Sequence, residues 1–158
     1  MAGKVIGKTL DYGFPGTVSR ASDTVIMAFP VVNGPIKFGA PVAFVAEKNA
    51  VAPVTAGTAA ADIIGIAVRE VRQPYEDSEE GWFYKESDTC NVLVRGTAVV
   101  ELSDATGLVA RGPVHVKAAD AAFTSVADGN LAVSHAIFST GRIDGNKVAE
   151  VTLLERVI

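Results

Sequence analysis

The sequence predicts a single all-β domain, a β-barrel or β-sandwich of short antiparallel strands, with an extended N-terminal arm. Three observations carry that prediction. Residues 91–102 (NVLVRGTAVVEL) place Val92, Val94, Ala98, Val100 and Leu102 on one register and Leu93, Arg95, Thr97, Val99 and Glu101 on the other. That alternation is expected of a strand with one face against a core. The apolar content of 49% against 20% charged residues supplies a sizeable core and argues against disorder. The apolar part is mostly Val and Ala, with 15 Gly, a make-up that suits strands joined by tight turns.

The chain of 158 residues fits one domain, and no linker or internal repeat divides it. Residues 1–20 read as the arm and residues 21–158 as the domain. Within the arm, Pro15 followed by Gly16 suits a type II turn that carries Phe14. Residues 23–32 (DTVIMAFPVV) form a strand interrupted at Pro30, which cannot donate to a ladder and so marks an edge strand or a strand end. A short strand follows at residues 40–45. Thr58 is positioned to cap one helical turn over Ala59, Ala60 and Ala61. Residues 63–72 (IIGIAVREVR) form a second central strand beside residues 91–102, and Gly96 predicts a bend, a bulge or a close backbone contact. Residues 114–117 alternate cleanly, Asp144-Gly145 signals a hairpin turn, and residues 148–157 alternate to the end. The count is roughly eight to ten strands at the spacing of a sandwich or barrel.

Chemistry is sparse. The formal charge is −4 and the basic residues are scattered, which excludes a phosphate-binding patch and argues against nucleic acid as a partner. No apolar run approaches a membrane span, and the first residues hold no apolar core of signal-peptide length. One cysteine, Cys90, permits no intramolecular disulfide and lacks a neighbouring base, so it reads as a small core residue. His115 and His135 have no partners at metal-ligand spacing and read as partly exposed sheet residues. Nucleophile-elbow, phosphate-loop and dinucleotide patterns are absent. We therefore expect no catalytic residue, no metal and no cofactor.

The compositional outlier is residues 73–89 (QPYEDSEEGWFYKESDT), an acidic and aromatic loop. A loop of that length inside a compact domain is usually functional or mobile. Three consecutive aromatics cannot all face one side of a strand. Aromatics exposed beside a polar rim suit a protein contact. The alternative is that Trp82 and Tyr84 cap the core while Phe83 covers an edge.

Six stretches in order carry a resemblance. They are residues 13–20 (GFPGTVSR), 37–42 (KFGAPV), 65–71 (GIAVREV), 90–99 (CNVLVRGTAV), 112–116 (GPVHV), and the ending from Thr140-Gly141-Arg142 through residues 149–154 (AEVTLL). Together they resemble the structural cement, or capsid decoration, proteins of tailed bacteriophages, over nearly the whole chain. The loop at 76–84 matches least. The resemblance implies a non-enzymatic virion protein, made in the cytoplasm of a bacterial host. It would bind the outer surface of the head, bridge major capsid proteins and stabilise the expanded capsid. It also implies a homo-oligomer, with a trimer favoured by lattice symmetry and a dimer second. The candidate contact residues are Phe14 and Arg20 in the arm and Tyr75, Trp82, Phe83 and Tyr84 in the loop. Two other readings stay open. One is a tail or head–tail joining protein. The other is a β-sandwich glycan-binding module, favoured by Trp82 and Tyr84 beside carboxylates.

Overall fold

A computed structural model describes residues 11–70 and 83–158. Within them the chain is β throughout, apart from single 3-10 turns at Ala46–Lys48 and Ala60–Asp62. The eleven strands are β1 (Val18–Pro30), β2 (Ile36–Lys37), β3 (Pro41–Val45), β4 (Ala50–Pro53), β5 (Ile63–Ala67), β6 (Phe83–Tyr84), β7 (Thr89–Asp104), β8 (Pro113–Lys117), β9 (Ala122–Thr124), β10 (Leu131–Phe138) and β11 (Val148–Leu153). The expected all-β architecture is present, with one more strand than expected. Two strands are long, and β9 joins β7 in parallel.

The pairings close into two rings that share β7. The first runs from β7 through β11, β10, β8 and β9 back to β7. The second runs from β7 through β5, β3 and β4, and is closed by Val31, just past β1, bridging Val51 of β4. β1 lies along β7 and completes this circuit. Closure hides strand edges that would otherwise pair with other chains.

Each ring has its own apolar filling. Ala98, Val100, Leu102, Val116, Phe123 and Phe138 belong to the first core. Val42, Val51, Ile64, Cys90, Val92 and Val94 belong to the second. Ile66 and Leu93, from the outer side of the second ring, pack into the first core and weld the two together. Side chains of this size contribute about 1.5–3 kcal/mol each when fully buried, so these two clusters dominate the stability of the fold.

This arrangement corrects the single-faced reading of residues 91–102. Val92 and Val94 face the second core, whereas Ala98, Val100 and Leu102 face the first, with Leu93 on their side. The alternation slips by one residue at Gly96, whose φ is +120°. The bend expected at this glycine is therefore present, and it decides which core each half of the strand serves. β1 answers with a bulge. Arg20 pairs with Thr97 and Val25 with Arg95, leaving four residues looped out between them. Asp23 in that bulge has φ +63° and meets Arg95 at 2.6 Å.

Other local expectations fare differently. Pro30 ends β1, as predicted. β5 stops at Ala67, short of the strand expected over residues 63–72, of which 71 and 72 lie outside the described residues; the Val68 N–H still donates to the Asn91 carbonyl at 2.8 Å. Thr58 does not cap the helical turn. Its hydroxyl accepts from the Thr55 N–H at 2.9 Å and closes a turn of its own. The turn expected at Asp144-Gly145 is present: the Lys147 N–H donates to the Asp144 carbonyl at 3.1 Å and the Asp144 N–H to the Val148 carbonyl at 3.0 Å, while the Asp144 carboxylate accepts from the Asn146 and Val148 N–H groups at 2.9 and 3.0 Å. His115 and His135 are buried rather than partly exposed.

A Cβ at position 96 would sit 3.1 Å from the Thr24 hydroxyl and 3.2 Å from the Thr24 Cα, in a backbone region that side chains rarely adopt. Gly96→Ala is expected to lose about 1–3 kcal/mol of folding stability. The check is the urea midpoint. An unchanged midpoint would mean that the register slip does not need this glycine.

Candidate protein interface

The described part of the arm is bound into the fold. The Tyr12 N–H donates to the Asp144 carboxylate at 3.2 Å, and its hydroxyl meets the Thr140 hydroxyl at 2.7 Å. The Arg142 guanidinium lies 5.5 Å from the Tyr12 ring centre. The chain then makes the expected turn, with the Thr17 N–H donating to the Phe14 carbonyl at 3.2 Å and Gly16 at φ +85°. Gly16 donates to the Val99 carbonyl at 2.7 Å and Val99 donates back to Thr17 at 2.9 Å, so the arm extends the β1 ladder along β7.

This turn is braced from a third side. The Arg69 N–H donates to the Gly16 carbonyl at 2.8 Å. Gly39, at φ +78°, faces it so closely that a Cβ there would lie 2.6 Å from the Pro15 Cβ. A Cβ on Gly16 would lie 2.8 Å from the backbone nitrogens of both Arg69 and Gly39. Only glycines let the two segments pass at this distance.

Phe14 is the product of that bracing. Its side chain is 63% exposed, the most open of the large apolar residues described, and the Arg69 guanidinium lies 4.1 Å from its ring centre. A cation–π contact at an exposed site is worth about 0.5–1 kcal/mol, enough to orient the ring but not to hide it. A rigid aromatic with one apolar face open is the kind of anchor that protein contacts use.

The loop between β5 and β6 leaves and returns at the same place. Arg69 lies just before it, and Phe83 pairs with Lys37 just after it. The described part of the arm therefore lies beside Arg69, two residues before the stretch 71–82 that lies outside the described residues. Phe83 is half-buried at this border. Tyr84 is fully buried, which corrects its place among candidate contact residues. Its ring packs edge-on against Phe38 at 5.1 Å and its hydroxyl donates to the Val68 carbonyl at 2.6 Å. Burial, with Cys90 and Glu70 nearby, pushes its phenol well above the usual range, so it stays a neutral donor. Tyr84 is a core plug that fixes the loop's return. Tyr75 and Trp82 lie outside the described residues.

Arg20 has an internal duty. Its guanidinium is 3.2 Å from the Glu150 carboxylate, whose side chain is 7% exposed while Arg20's is 58% exposed. Sequence reasoning missed Arg69 and Tyr12, which carry the bracing. Neither shows a motif, because their partners lie far away in the chain.

Among the described residues no group of three or more His, Cys, Asp or Glu side chains is placed to hold a metal ion. No helix in those residues is long and apolar enough to cross a membrane. His135 is 5% exposed and its Nε2 has no hydrogen-bond partner among the described residues. Burial holds its pKa below the ordinary histidine value, and Glu155 opposes that only in part.

Comparison with protein families finds a match to the model described as structural cement protein, over residues 3–154. Among solved structures, a chain in the capsid of Myoviridae phage XM1 has the same fold. It superposes with a TM-score of 0.73 at 24% identity, covering 99% of each chain. Comparison with curated proteins finds no match.

Two outcomes follow from these contacts. Arg20→Ala strands the Glu150 carboxylate and is expected to cost about 1–2 kcal/mol in thermal or urea unfolding, with Arg20→Lys recovering part of it. His135 binds a proton more readily when unfolded, near pH 6.5, than when folded. Its contribution is therefore fully present above about pH 7 and is lost as the pH falls through 6.5 toward the lower folded value. The drop in melting temperature between pH 7.5 and 5.5 should be smaller in His135→Gln than in the parent. Equal drops would assign the acid sensitivity to other groups.

Proposed function

The chain belongs to the structural cement protein family, and from that premise we propose that it binds the outer surface of a phage head and stabilises the expanded capsid by bridging major capsid proteins. Membership makes it a structural, capsid-stabilising part of the virion, and implies a non-enzymatic role. The observation that supports the finer reading is the exposed, braced Phe14 stacked on Arg69, just past the end of β5. Phe14 supplies an apolar anchor, and Arg69 supplies charge and stacking area around it.

The physics of cementing needs little from each contact. A protein that binds the expanded lattice better than the precursor shell shifts the equilibrium toward expansion by its difference in affinity. An oligomer that spans several capsid subunits makes each later contact intramolecular, so modest surfaces add to high avidity. We favour a trimer, with a dimer second.

Residues 16–20 are hydrogen-bonded into the sheet, so Phe14→Ala tests the contact more cleanly than removing the arm. The assay is co-sedimentation with heads stripped of this protein, unexpanded and expanded. The parent should saturate expanded heads and leave unexpanded ones bare. Phe14→Ala should weaken binding at least about tenfold, with its stability within about 1 kcal/mol of the parent. Parental binding by neither kind of head would sink the cement reading and bring forward a tail or joining role. Undiminished binding by Phe14→Ala would move the contact elsewhere on the surface.

A further inference from the structure

A groove runs between the β2–β6 pair and the β8–β9 turn. One half, about 220 Å³, is walled by Pro35, Ile36, Pro41, Pro53 and Phe83. Lys37, Ala40, Asp120 and Ala121 line both halves, and the second, about 230 Å³, reaches Gly39, Glu101 and Ser103. It opens where the flank of β7 passes from the arm, paired at Val99, to β9, paired at Leu102. An extended segment could enter there beside the strand.

The occupant is identified by three features. Residues 1–10 (MAGKVIGKTL) offer Val5, Ile6 and Leu10 for the apolar wall. Their only charged side chains are Lys4 and Lys8, and the groove offers them the carboxylate of Glu101, since Asp120 is already paired with Lys117 at 2.6 Å. The third feature is where that segment begins. Tyr12 is tied to Asp144 and Thr140, in the loop before β11. β11 flanks β7 on the side opposite β9, so Tyr12 is held across β7 from the groove. Ten extended residues reach roughly 33 Å, enough to span to a neighbour.

We propose that this groove receives the Met1–Leu10 segment of a second copy of the chain. The inference rests on the reading of the arm as a contact region and gives it a receptor. Each copy gives an arm and takes one, either reciprocally in a two-fold pair or head-to-tail around a ring. Head-to-tail contacts close into rings when the rotation allows, which is the geometry of a trimer. Apolar side chains seated in a preformed wall supply the affinity, and the lysines set the direction of the segment.

The experiment needs no phage heads, so its outcome is independent of capsid binding. Sedimentation velocity compares the full chain, a chain beginning at Asp11, and Ala40→Arg, which puts a cation into the wall against Lys4 and Lys8. The full chain should associate, and both variants should dissociate with at least about a tenfold weaker constant. In full-length chains carrying Cys90→Ser, Val5→Cys on one copy and Lys37→Cys on a differently tagged copy should form a disulfide between the two. Association that survives loss of residues 1–10, a full chain that stays monomeric, or failure of the two tagged chains to cross-link would each overturn the proposal.

Discussion

One strand cannot line two cores with the same set of side chains unless its alternation slips, and β7 is asked to line two. Its first half serves the ring of β5, β3 and β4, and its second half the ring of β8, β10 and β11. Gly96 supplies the slip, and the bulge at residues 21–24 of β1 lets the neighbouring strand follow it. Without that half-step, Ala98, Val100 and Leu102 would face away from the filling of the first ring. The cores, the pairing of β1 and the position of the arm on Val99 all inherit their geometry from this site.

The same strand explains why two regions distant in sequence form one surface. β5 and the arm both take their places from β7, one through Leu93 and Val92, the other through Val99. Arg69 at the end of β5 therefore meets Gly16, and the Phe14 ring comes to rest on its guanidinium. Tyr84 then holds the loop's return on the Val68 carbonyl. Backbone bonds on three sides of a glycine-only crossing fix the shape of this face.

Much of this was legible in the residues, and what was not has physical reasons. The strands read at 114–117 and 148–157, the end of β1 at Pro30 and the turn at Pro15-Gly16 depend on local chemistry, and local reading found them, although the last strand stops at Leu153. The two-ring closure depends on pairings between residues far apart, such as Val31 with Val51, which leave no periodic trace. Alternation also misled. A period of two read through Gly96 joins Val94 to Ala98, although the backbone there has already changed sides. Of the aromatics, Phe14 is open and Tyr84 is closed, and only the packing around Phe38 and Val68 separates them. Arg69 carries no motif at all.

The pairing of the arm has a mechanical consequence. A pull on the arm would reach the fold first at Tyr12, held by Asp144 and Thr140, and then at Gly16 and Thr17. Gly16 and Thr17 are bonded to Val99 of β7, with β1 continuing the same ladder. The pull therefore loads several hydrogen bonds at once, in shear, instead of unzipping them singly. Because β7 belongs to both rings, the strain passes into both cores, and the whole subunit resists as one body.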